Sequence, residues 1–194
     1  MTVPSHHHET GMPASADGSG RPGAGLAGTP FVLTDAAGWV GRELGVTGWR
    51  RIDQPAVDAY ADLTGDRDWL HNDPERARQH SPFEGRTIVQ GSFLLAHCVR
   101  FLEEVAPPEG LGYALNYGFD RVRFVRPVRV GSRVRGRFTL HEVRPRPGDA
   151  PGRDGRIVLG YDVAIETDDA EGPAVVARWL GLAQPADTGD EATR

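Results

Sequence analysis

The segment GDRDWLHNDPE, Gly65 to Glu75, gathers Asp66, Asp68, His71 and Asp73 in one glycine-marked loop. A carboxylate and an imidazole held close together can bind a water molecule, take a proton from it and return one. Asp66 and His71 are the pair that this spacing offers. The same residues also suit a plainer use. Asp66 could satisfy backbone amides at a turn, and Asp73 could cap the helix that Pro74 begins. Spacing alone does not separate the two.

Several elements must position this loop. Asp53 is a good N-cap, Pro55 follows in the first turn, and Val57, Tyr60, Ala61 and Thr64 recur at helical spacing up to Gly65. A short helix is expected from Pro74 through Arg78, then a loop with Pro82 and Gly85. Gly91 to Leu102, GSFLLAHCVRFL, is apolar on nearly every face and predicts one continuous buried helix, about 20 Å long at 1.5 Å per residue. Cys98 within it reads as a small core residue and His97 as structural. Earlier in the chain, a short helix is expected over Asp35 to Glu43 and a strand over Val46 to Ile52.

Beyond Gly112 the period changes to two. Arg121–Phe124, Arg133–Phe138, Ile157–Ile165 and Ala174–Leu182 are strand candidates, with a Gly/Pro-rich hairpin loop over Pro145–Gly155. Four antiparallel strands after one buried helix predict an α+β fold, a curved sheet wrapped around that helix. Residues 31–184 would form this single domain. Residues 1–30, poor in aromatic and β-branched side chains, would be a disordered leader, and 185–194 a flexible tail. The run His6, His7, His8 belongs to that leader and reads as polar tail rather than as a metal site.

Composition narrows the function classes. The chain has 194 residues, net charge -5 and one cysteine. Bulk nucleic-acid binding is disfavoured by that charge. A lone Cys98 makes no internal disulfide and no cysteine-rich metal site, which suits a cytoplasmic protein. No apolar run is long enough to span a bilayer, and no basic segment followed by an apolar one marks a secretory signal.

The loop resembles the hydratase motif of the MaoC-like and (R)-specific enoyl-CoA hydratase family: an Asp, four residues, a His, then Asp-Pro opening a helix. Asp66, His71, Asp73 and Pro74 match it. IVQGSFLLAH matches the segment whose glycine, here Gly91, begins the central helix of that family's hot-dog fold. NYGFDRVRFVRPVRVGSRVR, from Asn116, and Trp69 resemble the nodulation-protein-N-like branch. The resemblance implies hydration or dehydration at the β-carbon of an acyl thioester carried by coenzyme A or an acyl carrier protein, without metal or redox cofactor. It assigns Asp66 as principal base, His71 as its partner and proton donor, and the Gly91 N–H as donor to the thioester oxygen. It puts Trp69, Gln90, Ser92, Asn116 and Tyr117 around the substrate, Asn116 and Tyr117 being equally suited to core or interface. Gln90 departs from the family, which commonly has His there, and Trp69 stands where the (R)-hydratases often have Pro. The resemblance further implies a homodimer, since a single hot-dog sheet leaves open edges.

Arg121, Arg123, Arg126, Arg129, Arg133, Arg135 and Arg137 stand out in an acidic chain. They suit either a docking face for phosphates or an acidic carrier, or the charged outer face of a sheet. Two other activities fit the same fold. A thioesterase would put a carboxylate on the central helix, and Gly91 to Leu102 has none. A non-catalytic acyl-binding or assembly protein is compatible with Gln90.

Overall fold

The structure, a computed structural model, describes residues 31–106, 108–147 and 155–186. The expected leader, its histidine run, residues 148–154 of the expected hairpin loop and residues 187–194 of the expected tail lie outside the described residues.

The first helix of the domain is a 3-10 helix, Leu33–Trp39, rather than a helix over Asp35 to Glu43. Its buried residues Leu33, Ala36 and Trp39 recur every third position, the 3-10 repeat. Two short strands follow, β1 (Glu43–Val46) and β2 (Arg50–Arg51), where one strand over Val46 to Ile52 was expected. Side-chain bonds hold the break between them. The Thr47 hydroxyl accepts from Gly136 N at 2.9 Å, and Gly48 N donates to Glu104 Oε1 at 3.1 Å.

Helix α1 (Gln54–Thr64) starts and stops where its sequence signals stand. Asp53 accepts from Ala56 N at 3.1 Å, and Gly65 closes the helix in the left-handed conformation at φ 80°. Val57 and Ala61 are its buried residues. Helices α2 (Trp69–Asn72) and α3 (Pro74–His80) follow.

The expected central helix is divided into α4 (Gly91–Ala96) and α5 (Cys98–Val105), with His97 between. An unbroken α-helix would give the Phe93 carbonyl to the N–H of His97. Here the imidazole Nδ1 of His97 takes that carbonyl at 2.8 Å, and the His97 N–H bonds to Leu94 O instead. Burial is also one-sided. Leu94, Cys98, Phe101 and Leu102 are inside, while Ser92, Ala96, Val99 and Arg100 are exposed. A single copy of the domain provides only one layer to pack against. Burial pushes the Cys98 thiol up to about 12, so it stays protonated in the core. Burial likewise pulls His97 below the ordinary imidazole value.

Four long strands complete the domain: β3 (Leu111–Phe124), β4 (Arg133–Pro145), β5 (Ile157–Thr167) and β6 (Pro173–Pro185). They form one antiparallel sheet in the order β1-β4-β5-β6-β3, with β2 also on β4. Val134, Phe138 and Leu140 alternate inward from β4 and meet α5. Gly136 belongs to that inward row because Phe101 lies against it. A Cβ there would stand 2.6 Å from the Phe101 ring. This is the α+β hot-dog arrangement: an antiparallel sheet with the central helix across its inner face. Among the described residues no strand pairs with the far edge of β3, and Tyr113, Leu115 and Tyr117 on that strand are exposed. Among the described residues no helix is long and apolar enough to cross a membrane.

Candidate active site

The loop expected between α1 and α3 contains a turn of helix, and this accounts for its carboxylates one by one. Asp68 caps α2, accepting from Leu70 N at 2.8 Å. Asp73 caps α3, accepting from Arg76 N at 2.9 Å, with Pro74 as the first helical residue. Asp66 follows the left-handed Gly65, and its carboxylate has no hydrogen-bond partner among the described residues. Its backbone N–H reaches the Thr64 hydroxyl at 3.4 Å. The plain capping use therefore holds for Asp68 and Asp73, and Asp66 is the uncommitted, exposed carboxylate of the loop.

His71 sits on α2, half-buried, with Nδ1 2.7 Å from the carbonyl oxygen of Ile88. A carbonyl only accepts, so Nδ1 carries the proton. In the neutral form of that tautomer Nε2 is a lone pair. The backbone joins the two segments as well, Ile88 N donating to Leu70 O at 2.9 Å. Behind His71 lies a polar cluster. Gln54 Nε2 donates to His71 O at 2.7 Å and to Asp58 Oδ1 at 2.8 Å. Thr87 Oγ1 donates to Gln54 Oε1 at 2.7 Å, and Asn72 Nδ2 donates to Asp58 Oδ1 at 2.7 Å.

Three residues beyond Ile88 the chain enters α4. Gly91 is its first residue, and the Gly91 N–H has no partner among the described residues. The Phe124 ring of β3 lies directly over Gly91, and a Cβ there would be 2.8 Å from Phe124 Cδ1. That ring is more than half exposed. Gln90 is fully buried. Its Nε2 donates to Val57 O at 3.3 Å, and its Oε1 has no donor among the described residues.

His71, Gln90 and Gly91 thus share one region through the Ile88–Gly91 segment, and Asp66 precedes α2 on the same loop. The other expected residues are dispersed. Trp69 is on α2, half-buried, with the Arg76 guanidinium 4.5 Å over its ring. Ser92 is exposed on α4. Asn116 accepts from Trp179 Nε1 at 2.9 Å, and Tyr117 lies next to it on the edge strand. Both are about 25 Å along β3 from Phe124 at the usual strand rise. In a single copy they do not meet Gly91. Sequence reasoning missed α2, the Gln54–Asp58 cluster and Phe124. The available signal for the cluster was the pair Gln54 and Asp58, four apart beside the buried Val57 and Ala61 on α1.

Apart from Arg126, the arginines of the β3–β4 region divide in two. Arg129 pairs with Asp169 at 3.0 Å, Arg133 with Asp168 at 2.8 Å, and Arg135 and Arg137 with Glu166 at 2.6 and 3.0 Å. Burial alone would raise these three carboxyls. The hydrogen bonds they accept outweigh it and hold Glu166, Asp168 and Asp169 below the ordinary range. Arg121 and Arg123 have no carboxylate partner among the described residues. With Arg137 and Arg178 they line a cavity of about 540 Å³ floored by β4, β5 and β6. Arg123 alternates with Phe124, which faces Gly91, so this cavity opens on the opposite side of the sheet.

The family model described as "MaoC like domain" matches residues 35–151. The chain is 39% identical over 160 residues to nodulation protein N of Rhizobium meliloti, covering 78% of this chain and 91% of that one. It is 37% identical over 145 residues to 3-hydroxyacyl-thioester dehydratase Z of Mycobacterium tuberculosis, covering 75% and 91%. Among solved structures, a MaoC-like dehydratase from Rhodospirillum rubrum aligns with TM-score 0.62 at 21% identity, over 80% of this chain and 98% of that one. The (R)-hydratase from A. caviae involved in PHA biosynthesis aligns with TM-score 0.55 at 24% identity, over 73% and 94%.

Proposed function

Because the chain belongs to the MaoC-like domain family, we propose that it adds water to, or removes it from, the β-carbon of an acyl thioester borne by coenzyme A or an acyl carrier protein. One observation carries the reading. The Nδ1–H of His71 is committed to Ile88 O, which leaves Nε2 for other use, five residues after the uncommitted Asp66 carboxylate; Ile88 in turn stands three residues before Gly91, whose N–H has no partner among the described residues.

In the hydration direction Asp66 takes a proton from a water that Nε2 of His71 helps hold. The water oxygen bonds to the β-carbon, and the electron pair of the double bond moves toward the thioester oxygen. The Gly91 N–H, turned toward that oxygen, stabilises the enolate charge. The enolate then collapses as the α-carbon takes a proton returned by the Asp66–His71 pair, so one water is added and the catalytic groups are restored. Dehydration is the reverse. Gln90, buried beside Gly91, Trp69 and Ser92 are assigned to the substrate-facing surroundings of this site.

The reading includes two copies of the chain. The unpaired edge of β3 with its exposed Tyr113, Leu115 and Tyr117, and the exposed face of α4 and α5, support a homodimer joined along β3. Asn116 and Tyr117 then belong to the interface. The single cysteine supports a cytoplasmic setting.

The test is a panel of crotonyl and saturated acyl thioesters, followed both for loss of the double bond and for free thiol. The expected result is double-bond loss without thiol. Thiol release from saturated substrates would make the protein a thioesterase, and neither signal would leave an acyl-binding protein.

A further inference from the structure

We propose that Gln54, with Asp58 and Thr87, is a positioning residue that fixes the tautomer of His71. It rests on the hydratase reading only in naming His71 as the group worth positioning. The orientation of the Gln54 amide is decided by its neighbours. Asp58 Oδ1 and His71 O are both acceptors, so the NH₂ must face them, and its two protons serve one each at 2.8 and 2.7 Å. The amide oxygen then faces Thr87, whose hydroxyl donates at 2.7 Å. Both amide protons and one lone pair of Gln54 are thus used, on one residue of its own helix and on two other segments.

These contacts close a ring. Gln54 holds the backbone carbonyl of His71 on one side and the Thr87 side chain on the other. Thr87 is joined by one peptide bond to Ile88, whose carbonyl accepts from His71 Nδ1 at 2.7 Å. The distance between the His71 backbone and the Ile88 carbonyl is what makes that last bond possible, and Gln54 spans the two segments that set it. Asp58 steadies the arrangement by also accepting from Asn72, the next residue along, at 2.7 Å. Without Gln54 the backbone bond from Ile88 N to Leu70 O still joins the segments, one residue away from the imidazole it would have to orient. A free neutral imidazole favours the proton on Nε2. Loosening the ring therefore moves the proton to the nitrogen that must be bare to hold a water.

The ¹⁵N resonances of the imidazole nitrogens in the intact protein test this directly, with His71→Gln used to assign the His71 signals. Wild type should show His71 with its proton on Nδ1. In Gln54→Leu and in Thr87→Val the signal should move toward the Nε2–H form, while His97, bonded to Phe93 O, keeps its own pattern. With crotonyl-CoA, kcat should fall about tenfold or more in both variants with KM changed less than about twofold, because a transition-state interaction is lost rather than ground-state binding. Thr87→Ser, which keeps the hydroxyl, should retain the Nδ1–H form and the turnover. If Gln54→Leu does not fold, Thr87→Val carries the same comparison. A folded variant in which His71 stays on Nδ1–H overturns the proposal, as does unchanged kcat. A wild-type protein that hydrates no enoyl thioester would instead refute the hydratase reading, and the resonances would still decide the tautomer.

Discussion

The four-stranded part of the sheet and the segment from α1 to α4 are held together by different means. From β3 to β6 the chain is tied by backbone ladders that run nearly the length of each strand, with Phe101, Phe138 and Trp179 packed between sheet and helix. From Gln54 to Gly91 the helices are short, single backbone bonds such as Ile88 N to Leu70 O replace ladders, and side chains carry much of the rest: caps by Asp53, Asp68 and Asp73, and the cluster around Gln54. A ladder averages many equivalent bonds, so no single side chain decides the register. The helical segment depends on particular side chains, and it leaves particular groups unspent. Asp66, Nε2 of His71 and the Gly91 N–H are available because their neighbours took the structural work. The comparison teaches that stability and chemistry should respond to different substitutions.

The largest separation should come from Asp66→Asn. Its carboxylate is exposed and unbonded, so the melting temperature should barely move, within about 0.5 kcal/mol for a surface change. Turnover should fall by about 10²–10⁴, the usual worth of a general acid–base group. Full activity in that variant would erase the functional half of the comparison. Phe101→Ala is the converse. Denaturant unfolding should show a loss of about 3–5 kcal/mol from the emptied space under Gly136, while the folded fraction keeps its turnover. Gly91→Val probes the border between the two regions. Phe124 must swing aside to admit the new side chain, and the thioester can no longer approach the N–H. Activity per folded molecule should drop by about 10²–10³. A loss confined to melting temperature would mean that Gly91 serves packing alone.

The smallest effect is on acid stability, and it belongs to the sheet. Glu166, Asp168 and Asp169 are held below their unfolded values by Arg135, Arg137, Arg133, Thr167, Ser132 and Arg129. Their contribution is present above the ordinary carboxyl range and is lost as pH falls through their lowered folded values. Unfolding monitored from pH 6 to pH 2, on the order of the carboxyl range, should show stability declining at the acid end. Asp169→Asn should flatten that decline. An unchanged profile would show that these pairs do not steady the sheet.

Much of the sheet was legible because alternation reports burial directly. Val134, Phe138 and Leu140 point inward just as their spacing in the sequence says. Caps were legible too, since Asp53 with Pro55 and Asp73 with Pro74 act through atoms a few residues away. What stayed hidden depends on distant partners. The division of the central helix follows from one imidazole taking a carbonyl four residues back, which apolar content does not reveal. One-sided exposure of α4 and α5 reflects how many layers a single copy provides. The turn α2 is held by Asp68, a residue read as part of a loop. In the site, the motif pointed to Asp66 and His71, but nothing local showed that Ile88 would fix the imidazole proton or that Phe124 would cover Gly91.

An experimental structure with an unreactive enoyl-thioester analogue would show where the thioester lies. The thioester oxygen should lie about 3 Å from the Gly91 nitrogen, with the Phe124 ring turned away. The β-carbon should then face a water held between Asp66 and Nε2 of His71. An acyl chain bound with its β-carbon remote from both residues, or a thioester held instead in the arginine-lined cavity across the sheet, would contradict this placement.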